Sequence, residues 1–253
     1  MAALKTAAIF VFVGFTMILL VPIGVIVFLF TLLGLQRPMS AMMHTVARIW
    51  ALTLIKLVGC PVTVTGREHI PPKGGVCFVS NHCSIFDIVL LLAYAGRSIG
   101  FVAKRELSFI PMLNMWILLI GGLYIDRNSP RKAVKSINAG VNRIKSGGGM
   151  IIFPEGHRGK GRGLLPFRMG AFKLATLSGA PIVPVAISGS YEVFEKTGRI
   201  QPYPIRVVFH EPVRTADIPA ADRRAVLAEQ VRGMIAGTLE GGGMERVTGQ
   251  SGR

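Results

Sequence analysis

From Thr6 to Gln36 the chain carries no charged residue, and "AAIFVFVGFTMILLVPIGVIVFLFTLLGL" is apolar almost without interruption. A helix needs about 20 apolar residues to cross a bilayer, so this run is long enough to span one. It also exceeds the ~7–15-residue apolar core of a cleaved signal peptide, which points to a retained anchor. Pro22 and Gly24 divide the run, so a kinked or re-entrant insertion stands beside a straight span.

The next segment, "MSAMMHTVARIWALTLIKLVG", is apolar as well, but His44, Arg48 and Lys56 fall four and eight residues apart, on one side of a helix. That stripe suits a helix lying at a membrane interface or packed on the first segment, and a buried helix of the globular part fits it equally.

Apolar residues make up 51% of the 253 positions and charged ones 17%. The balance is too apolar for an ordinary soluble domain and too mixed for a polytopic transporter. The formal net charge is +16. Lys5, Arg37, Arg48, Lys56 and Arg67 all precede the first acid, Glu68, and all but Lys5 follow the apolar run. Positive charge after the anchor places the remainder of the chain on the cytoplasmic side, at the inner membrane in a bacterial cell. No aromatic–basic interleaving or nucleic-acid motif is present, so the excess reads as attraction to anionic lipid, or to an acidic carrier or phosphorylated substrate, with no nucleic-acid partner. Cys60, Cys77 and Cys83 are odd in number and lack metal-ligand spacing, which fits a reducing compartment and no metal site.

Beyond residue 60 short β-branched runs alternate with helical stretches. Strands are expected at 62–66, 75–80, 99–104, 123–126, 149–154, 182–187 and 205–210, and helices at 84–95, 107–119, 130–146, 167–178 and 218–238. The alternation predicts an α/β fold with a mixed, largely parallel sheet flanked by helices and preceded by N-terminal hydrophobic membrane helices. The chain divides into anchoring helices (1–58), an α/β domain (59–240) and a Gly-rich tail expected to fray (241–253).

Four stretches could carry chemistry. In "VSNHCSIFDIVLLL", Ser84 and Asp87 form a capping box ahead of an apolar helix. Side chains of a first helical turn tilt back toward the N-terminus, so Asp87 can also reach the turn holding His82. A carboxylate there would orient the imidazole as a general base, and capping leaves His82 without any other task. "GGLYIDRNSP" sets Arg127 at a strand exit, before a helix opened by Pro130. "FPEGHRGKGRGLLPFR" places Arg158, Lys160, Arg162 and Arg168 among four glycines and a single acid, Glu155, a composition suited to an anion. It lacks the Gly-Lys-Ser/Thr ending of a Walker loop. "APIVPVAISGS" reads as a core strand.

In this order the four stretches resemble the glycerolipid acyltransferases typified by 1-acyl-glycerol-3-phosphate acyltransferase. "NHCSIFD" is similar to the family's His-x4-Asp block, "GGLYIDR" to its second block, "FPEGHRG" to its Phe-Pro-Glu-Gly-Thr-Arg block and "PIVPVAI" to its fourth. The lysine-bearing segment "AKRELSFIP" matches too, and the likeness covers roughly residues 60–210. His157 departs from the usual threonine, which bears on head-group selection, and Asn114 stands where a glycine is expected.

The resemblance implies His82 as general base and Asp87 as its orienting acid. It implies Lys104, Arg127, Glu155, Gly156 and Arg158 at the acceptor phosphate. The reaction implied is direct acyl transfer to the sn-2 hydroxyl of lysophosphatidic acid, giving phosphatidic acid. Acyl-CoA or acyl carrier protein is the donor, and no cofactor takes part. Acylation of another lyso-lipid, with a different head group or an ornithine lipid, fits the same motifs. Two further readings are hydrolysis through Cys83 or Ser84, which lacks a Gly-x-Ser-x-Gly elbow, and a non-catalytic lipid-binding protein.

Overall fold

The computed structural model describes residues 2–126, 129–219 and 221–248. The uncharged run forms α1 (Ala2–Leu19) and α2 (Val21–Leu32), separated at Leu20, with Pro22 just inside α2. Helical bonds continue on both sides of the break, from Leu20 N–H to Thr16 O and from Gly24 N–H to Leu20 O. The expected division is therefore a kink, as a proline without an N–H and with a bulky ring imposes. α3 (Gln36–Val58) follows. Ala2–Phe30 and Met39–Val58 are each long and apolar enough to cross a membrane.

The remaining elements are β1 (Val62–Thr65), β2 (Val76–Ser80), α4 (Phe86–Tyr94), β3 (Ile99–Lys104), α5 (Pro111–Leu119), β4 (Leu123–Ile125), α6 (Pro130–Lys145), β5 (Gly149–Ile152), α7 (Lys173–Ser178), β6 (Ile182–Ser188), α8 (Ser190–Val193), β7 (Ile205–Phe209) and α9 (Arg223–Thr248). The seven strands form one sheet in the order β1-β7-β6-β2-β5-β3-β4. Every pairing is parallel except β6 with β7. β2 and β5 are buried along their whole length, so they read as unbroken apolar runs.

α3 belongs to two environments. Met43, Ala51, Leu54, Ile55 and Val58 are buried, and the Arg48 guanidinium donates to Ala93 O at the end of α4, where a cation complements the helix dipole. Within the polar stripe, Arg48 thus serves packing on the globular part. Lys5 Nζ donates to Val58 O (2.8 Å), Trp50 Nε1 to Thr16 Oγ1 (3.0 Å) and Ile200 N–H to Thr6 Oγ1 (2.8 Å), pinning α1 to both. Gly24 has a packing task, since a Cβ there would lie 2.9 Å from Leu119 Cδ1 on α5. The outward sides of α1 and α2 leave Phe10, Phe15, Ile18, Phe28 and Leu29 exposed.

α9 runs ten residues past the end expected from sequence and crosses Gly241–Gly243. Glycine costs only ~1 kcal/mol relative to alanine in a helix, and no proline interrupts the bonds once Leu227, Val231 and Ile235 have docked on the sheet.

Candidate active site

Strands β2, β3, β4, β5 and β6 are mutually parallel, so their carboxyl ends gather on one side of the sheet. In open α/β sheets, clefts beyond these ends are the usual ligand sites. Val79 of β2 pairs with Ile152 of β5 and with Pro184 of β6, so β2 and β5 end at nearly the same level while the neighbouring β6 continues to Ser188. β2 delivers Asn81 and His82, β5 delivers Phe153 to Glu155, and β6 delivers Ser190. Lys104 closes β3, and Asp126 follows β4. Motifs as much as a hundred residues apart thus meet at one edge.

His82 is held from every direction. Its ring Nδ1 lies 2.9 Å from Asp87 Oδ2, and the ring stacks on Phe153 at 4.0 Å between centroids and 19° between planes. Its N–H donates to Glu155 Oε1 (2.7 Å), and its carbonyl accepts from Gly159 N–H (2.7 Å). Asp87 is fully buried and receives Cys83 N–H (2.7 Å) and Ser84 N–H (2.8 Å) on Oδ2 as well, and Ser190 Oγ–H (2.6 Å) on Oδ1. All its partners are donors, so the hydrogen of the His82–Asp87 contact resides on Nδ1 and Nε2 is the basic nitrogen. Half of the expected capping box is present: Asp87 reaches back to Ser84 N–H, whereas Ser84 Oγ accepts from Phe86 N–H (3.0 Å) rather than from Asp87 N–H, and Ile85 stands at the N-cap of α4.

Glu155 has a main-chain task in the structure. It is 1% exposed, and its two oxygens accept backbone N–H groups of His82 and of Leu165 (3.2 Å). A buried carboxylate that faces main-chain donors would repel a phosphate. It fastens the 155–165 loop to His82. Burial pushes its carboxyl above the usual glutamate range, with both backbone donors opposing that shift.

His82, Lys104, Gly156 and Arg158 line a single cavity of about 1300 Å³. Arg127 lies outside the described residues. Lys160, Arg162, Arg168 and Lys173 share the basic end, while Phe10, Val13, Met17, Trp50, Val89 and Trp116 contribute to its apolar walls. Gly156 makes a tight turn, its N–H donating to Phe153 O (3.1 Å). Lys160 has φ +51°, the only positive φ at a non-glycine position among the described residues. Asp126 is engaged by Arg105 at 2.8 Å. His157 lines the cavity beside Arg158. Asn114 lies on α5, with its side-chain oxygen buried and without a partner among the described residues.

Burial, reinforced by the Asp87 carboxylate, pushes the Cys83 thiol up to about 12, which disfavours the thiolate a nucleophile needs. Among the described residues no group of three or more His, Cys, Asp or Glu is gathered as metal ligands would be. Sequence reasoning misses Phe153, Ser190 and Glu195. Glu195 accepts from Ser84 Oγ (2.7 Å), Ile85 N–H (2.7 Å) and Arg158 Nη1 (3.0 Å). These three residues lie beside recognisable motifs, yet nothing local marks them as part of the site.

Fold and site together define an α/β protein with a histidine–carboxylate pair beside a large cavity lined by both apolar and basic side chains. Residues 61–188 match the family model described as Acyltransferase, and the chain belongs to that family. It is 31% identical over 193 residues to the 1-acyl-sn-glycerol-3-phosphate acyltransferase BAT2, chloroplastic, of Brassica napus, covering 74% of this chain and 56% of that protein. The 1-acyl-sn-glycerol-3-phosphate acyltransferase of Salmonella typhimurium is 40% identical over 138 residues, 54% of this chain and 56% of its own. The chain thus spans little more than half the length of these relatives. The crystal structure of the 1-acyl-sn-glycerophosphate (LPA) acyltransferase PlsC from Thermotoga maritima has the same fold, with a TM-score of 0.75, 23% identity and full coverage of both chains.

Proposed function

We propose that this protein transfers a fatty acyl group from an acyl thioester to the sn-2 hydroxyl of lysophosphatidic acid, giving phosphatidic acid, as a 1-acylglycerol-3-phosphate O-acyltransferase (EC 2.3.1.51). The observation that carries the reading is the His82–Asp87 pair, whose histidine lines one cavity together with many apolar side chains and several basic ones. A lyso-lipid has the same polarity: a chain for the apolar part, a phosphate for Lys104, Arg158 and, by the family resemblance, Arg127.

His82 Nε2 takes the proton of the acceptor hydroxyl while that oxygen bonds to the thioester carbonyl carbon. Asp87 stabilises the imidazolium that forms. Collapse of the tetrahedral intermediate breaks the C–S bond, and the proton passes from Nε2 to the departing sulfur. The products are an ester and a free thiol, and no covalent acyl-enzyme forms. The donor is acyl-CoA or acylated carrier protein. α1, α2 and α3 seat the protein in the bilayer, with the site on the cytoplasmic side. A lyso-lipid with another head group is the second reading, favoured by His157 at the cavity rim.

The test crosses acyl-CoA and acylated carrier protein with lysophosphatidic acid and other lyso-lipids on the purified full chain. Phosphatidic acid and free thiol are expected in equal amounts, and His82→Ala should lose ~10²-fold or more. Transfer to other lyso-lipids with none to lysophosphatidic acid would overturn the acceptor assignment.

A further inference from the structure

The reaction proposed above joins two sites. A base must stand at the hydroxyl, and a cation must hold the phosphate a fixed distance away. One short segment, residues 190–195, touches the machinery of both. Ser190 Oγ donates to Asp87, which orients His82, and Glu195 grips Arg158. The segment itself is tightly placed. Gly189 before it has φ +87°, and a Cβ there would lie 2.1 Å from Pro204 O. Phe194 packs edge-on against Phe10 of α1 at 5.7 Å. Gln201 N–H donates to Val193 O (2.9 Å).

Glu195 is the member with the most unexpected chemistry. Its side chain is 9% exposed, yet it carries a charge in a site whose ligand is an anion. As a helix cap it would need only Ile85 N–H. Instead Oε2 also takes the Ser84 hydroxyl, and Oε1 takes Arg158 Nη1. Ser84 is the residue whose own N–H is bonded to Asp87. A continuous set of bonds therefore runs from His82 through Asp87, Ser84 and Glu195 to Arg158. An arginine presents five N–H donors in a rigid plane, so fixing one Nη fixes the direction of the rest. Arg158 lines the cavity, and its remaining donors have no protein partner among the described residues.

We propose that Glu195 is a positioning residue that sets the guanidinium of Arg158 relative to His82, so that an acceptor phosphate bound there places its hydroxyl at Nε2. The inference rests on the acyl-transfer reading. The carboxylate touches neither substrate nor reacting atoms, and it acts only through Arg158. Its charge also keeps Arg158 from swinging away from the cavity while no phosphate is bound.

The test is a double-mutant cycle of Glu195→Gln with Arg158→Ala, assayed on lysophosphatidic acid and on phosphate-free monoacylglycerol. Glu195→Gln keeps an acceptor for Ile85 N–H and removes the charge facing Arg158. The expected result is a fall of about tenfold or more in kcat/KM for lysophosphatidic acid, the scale of loss that small misplacements of a bound group bring. The same change should cost monoacylglycerol transfer less than about twofold, and add less than about twofold once Arg158 is alanine, because two residues that act as a unit are not additive. Equal losses on both acceptors, or full additivity with Arg158→Ala, would mean that Glu195 only caps α4. Should Glu195→Gln fail to fold, Glu195→Asp is read the same way: an acceptor-selective loss supports the assignment and a uniform loss overturns it. A wild-type chain that transfers nothing to lysophosphatidic acid sinks the acyl-transfer reading and this inference with it. Uniform losses in the variants of an active enzyme sink this inference alone.

Discussion

Asp87→Asn separates the charge of the orienting group from its shape, and the contacts around it fix what the amide must do. Oδ2 receives His82 Nδ1–H, Cys83 N–H and Ser84 N–H, whereas Oδ1 receives only the Ser190 hydroxyl. An amide with its NH2 in the Oδ2 place would face those donors, leaving buried N–H groups unmet at about 1–3 kcal/mol each. In the opposite orientation the amide oxygen accepts them and the NH2 meets Ser190, whose hydroxyl turns to accept. The second orientation wins, so Nδ1 of His82 keeps its hydrogen and Nε2 remains basic. What disappears is the negative charge beside the imidazolium formed during transfer. Bonds to a charged partner contribute about 1.5–3 kcal/mol against about 0.5–1.5 for neutral ones, a difference of about 1–2 kcal/mol. That corresponds to a fall of roughly 5- to 30-fold in kcat. Steady-state acyl transfer to lysophosphatidic acid measures it, and 15N NMR of His82 reports the tautomer. A fall of ~10⁴, the size associated with an inverted tautomer when a triad aspartate becomes asparagine, would refute this orientation of the amide.

Cys83→Ala should retain most activity, and Cys83 should resist iodoacetamide at pH 8. With its thiol up at about 12, only ~1 in 10⁴ molecules is thiolate at that pH; rapid alkylation with loss of activity would contradict this. Glu155→Gln offers one acceptor where two N–H groups need one, so Leu165 N–H is left unmet and stability should drop by about 1–3 kcal/mol in urea unfolding. Because the native Glu155 carboxyl sits above its usual range, its contribution is full below the unfolded glutamate value and declines as pH rises through the native one. The stability gap between wild type and Glu155→Gln should therefore narrow with rising pH; a widening gap would reverse the sign. Lys160→Gly relieves a left-handed residue that costs about 1–2 kcal/mol, so the thermal midpoint should hold or rise while transfer to lysophosphatidic acid falls. Unchanged activity would remove Lys160 from the site.

Much of the architecture is legible in the residues because burial leaves periodic traces. The segments that form β2, β5 and β6 are apolar and rich in β-branched residues, which is what parallel strands covered on both faces require. The pairing of His82 with Asp87 follows from helix-start chemistry. The main-chain contacts of Glu155 are not legible in sequence, because a glutamate beside glycines and arginines has the same letters whether it faces a ligand or the main chain. The difference is burial, which a loop sequence does not encode. Ser190 and Glu195 are 103 and 111 residues from the partners they serve, Asp87 and Ser84, and β6 brings them there through strand order, not through any local pattern. The extension of α9 past residue 240 is not legible either, since low helix propensity there is offset by the docked part of α9.

The clamp on His82 has a consequence for protein engineering. Glu155 and Gly159 hold the backbone N–H and C=O of this residue, and neither bond involves the imidazole. The backbone of position 82 is thus fixed apart from its ring, by the Glu155 carboxylate on one side and the Gly159 N–H on the other. An imidazole analogue that keeps the Nδ1–H and the flat ring retains the contacts with Asp87 and Phe153. A histidine analogue of altered basicity, installed there by codon expansion, would change the proton affinity of the base while leaving its address in the fold untouched. One acidity could then be varied stepwise and the transfer rate read against it.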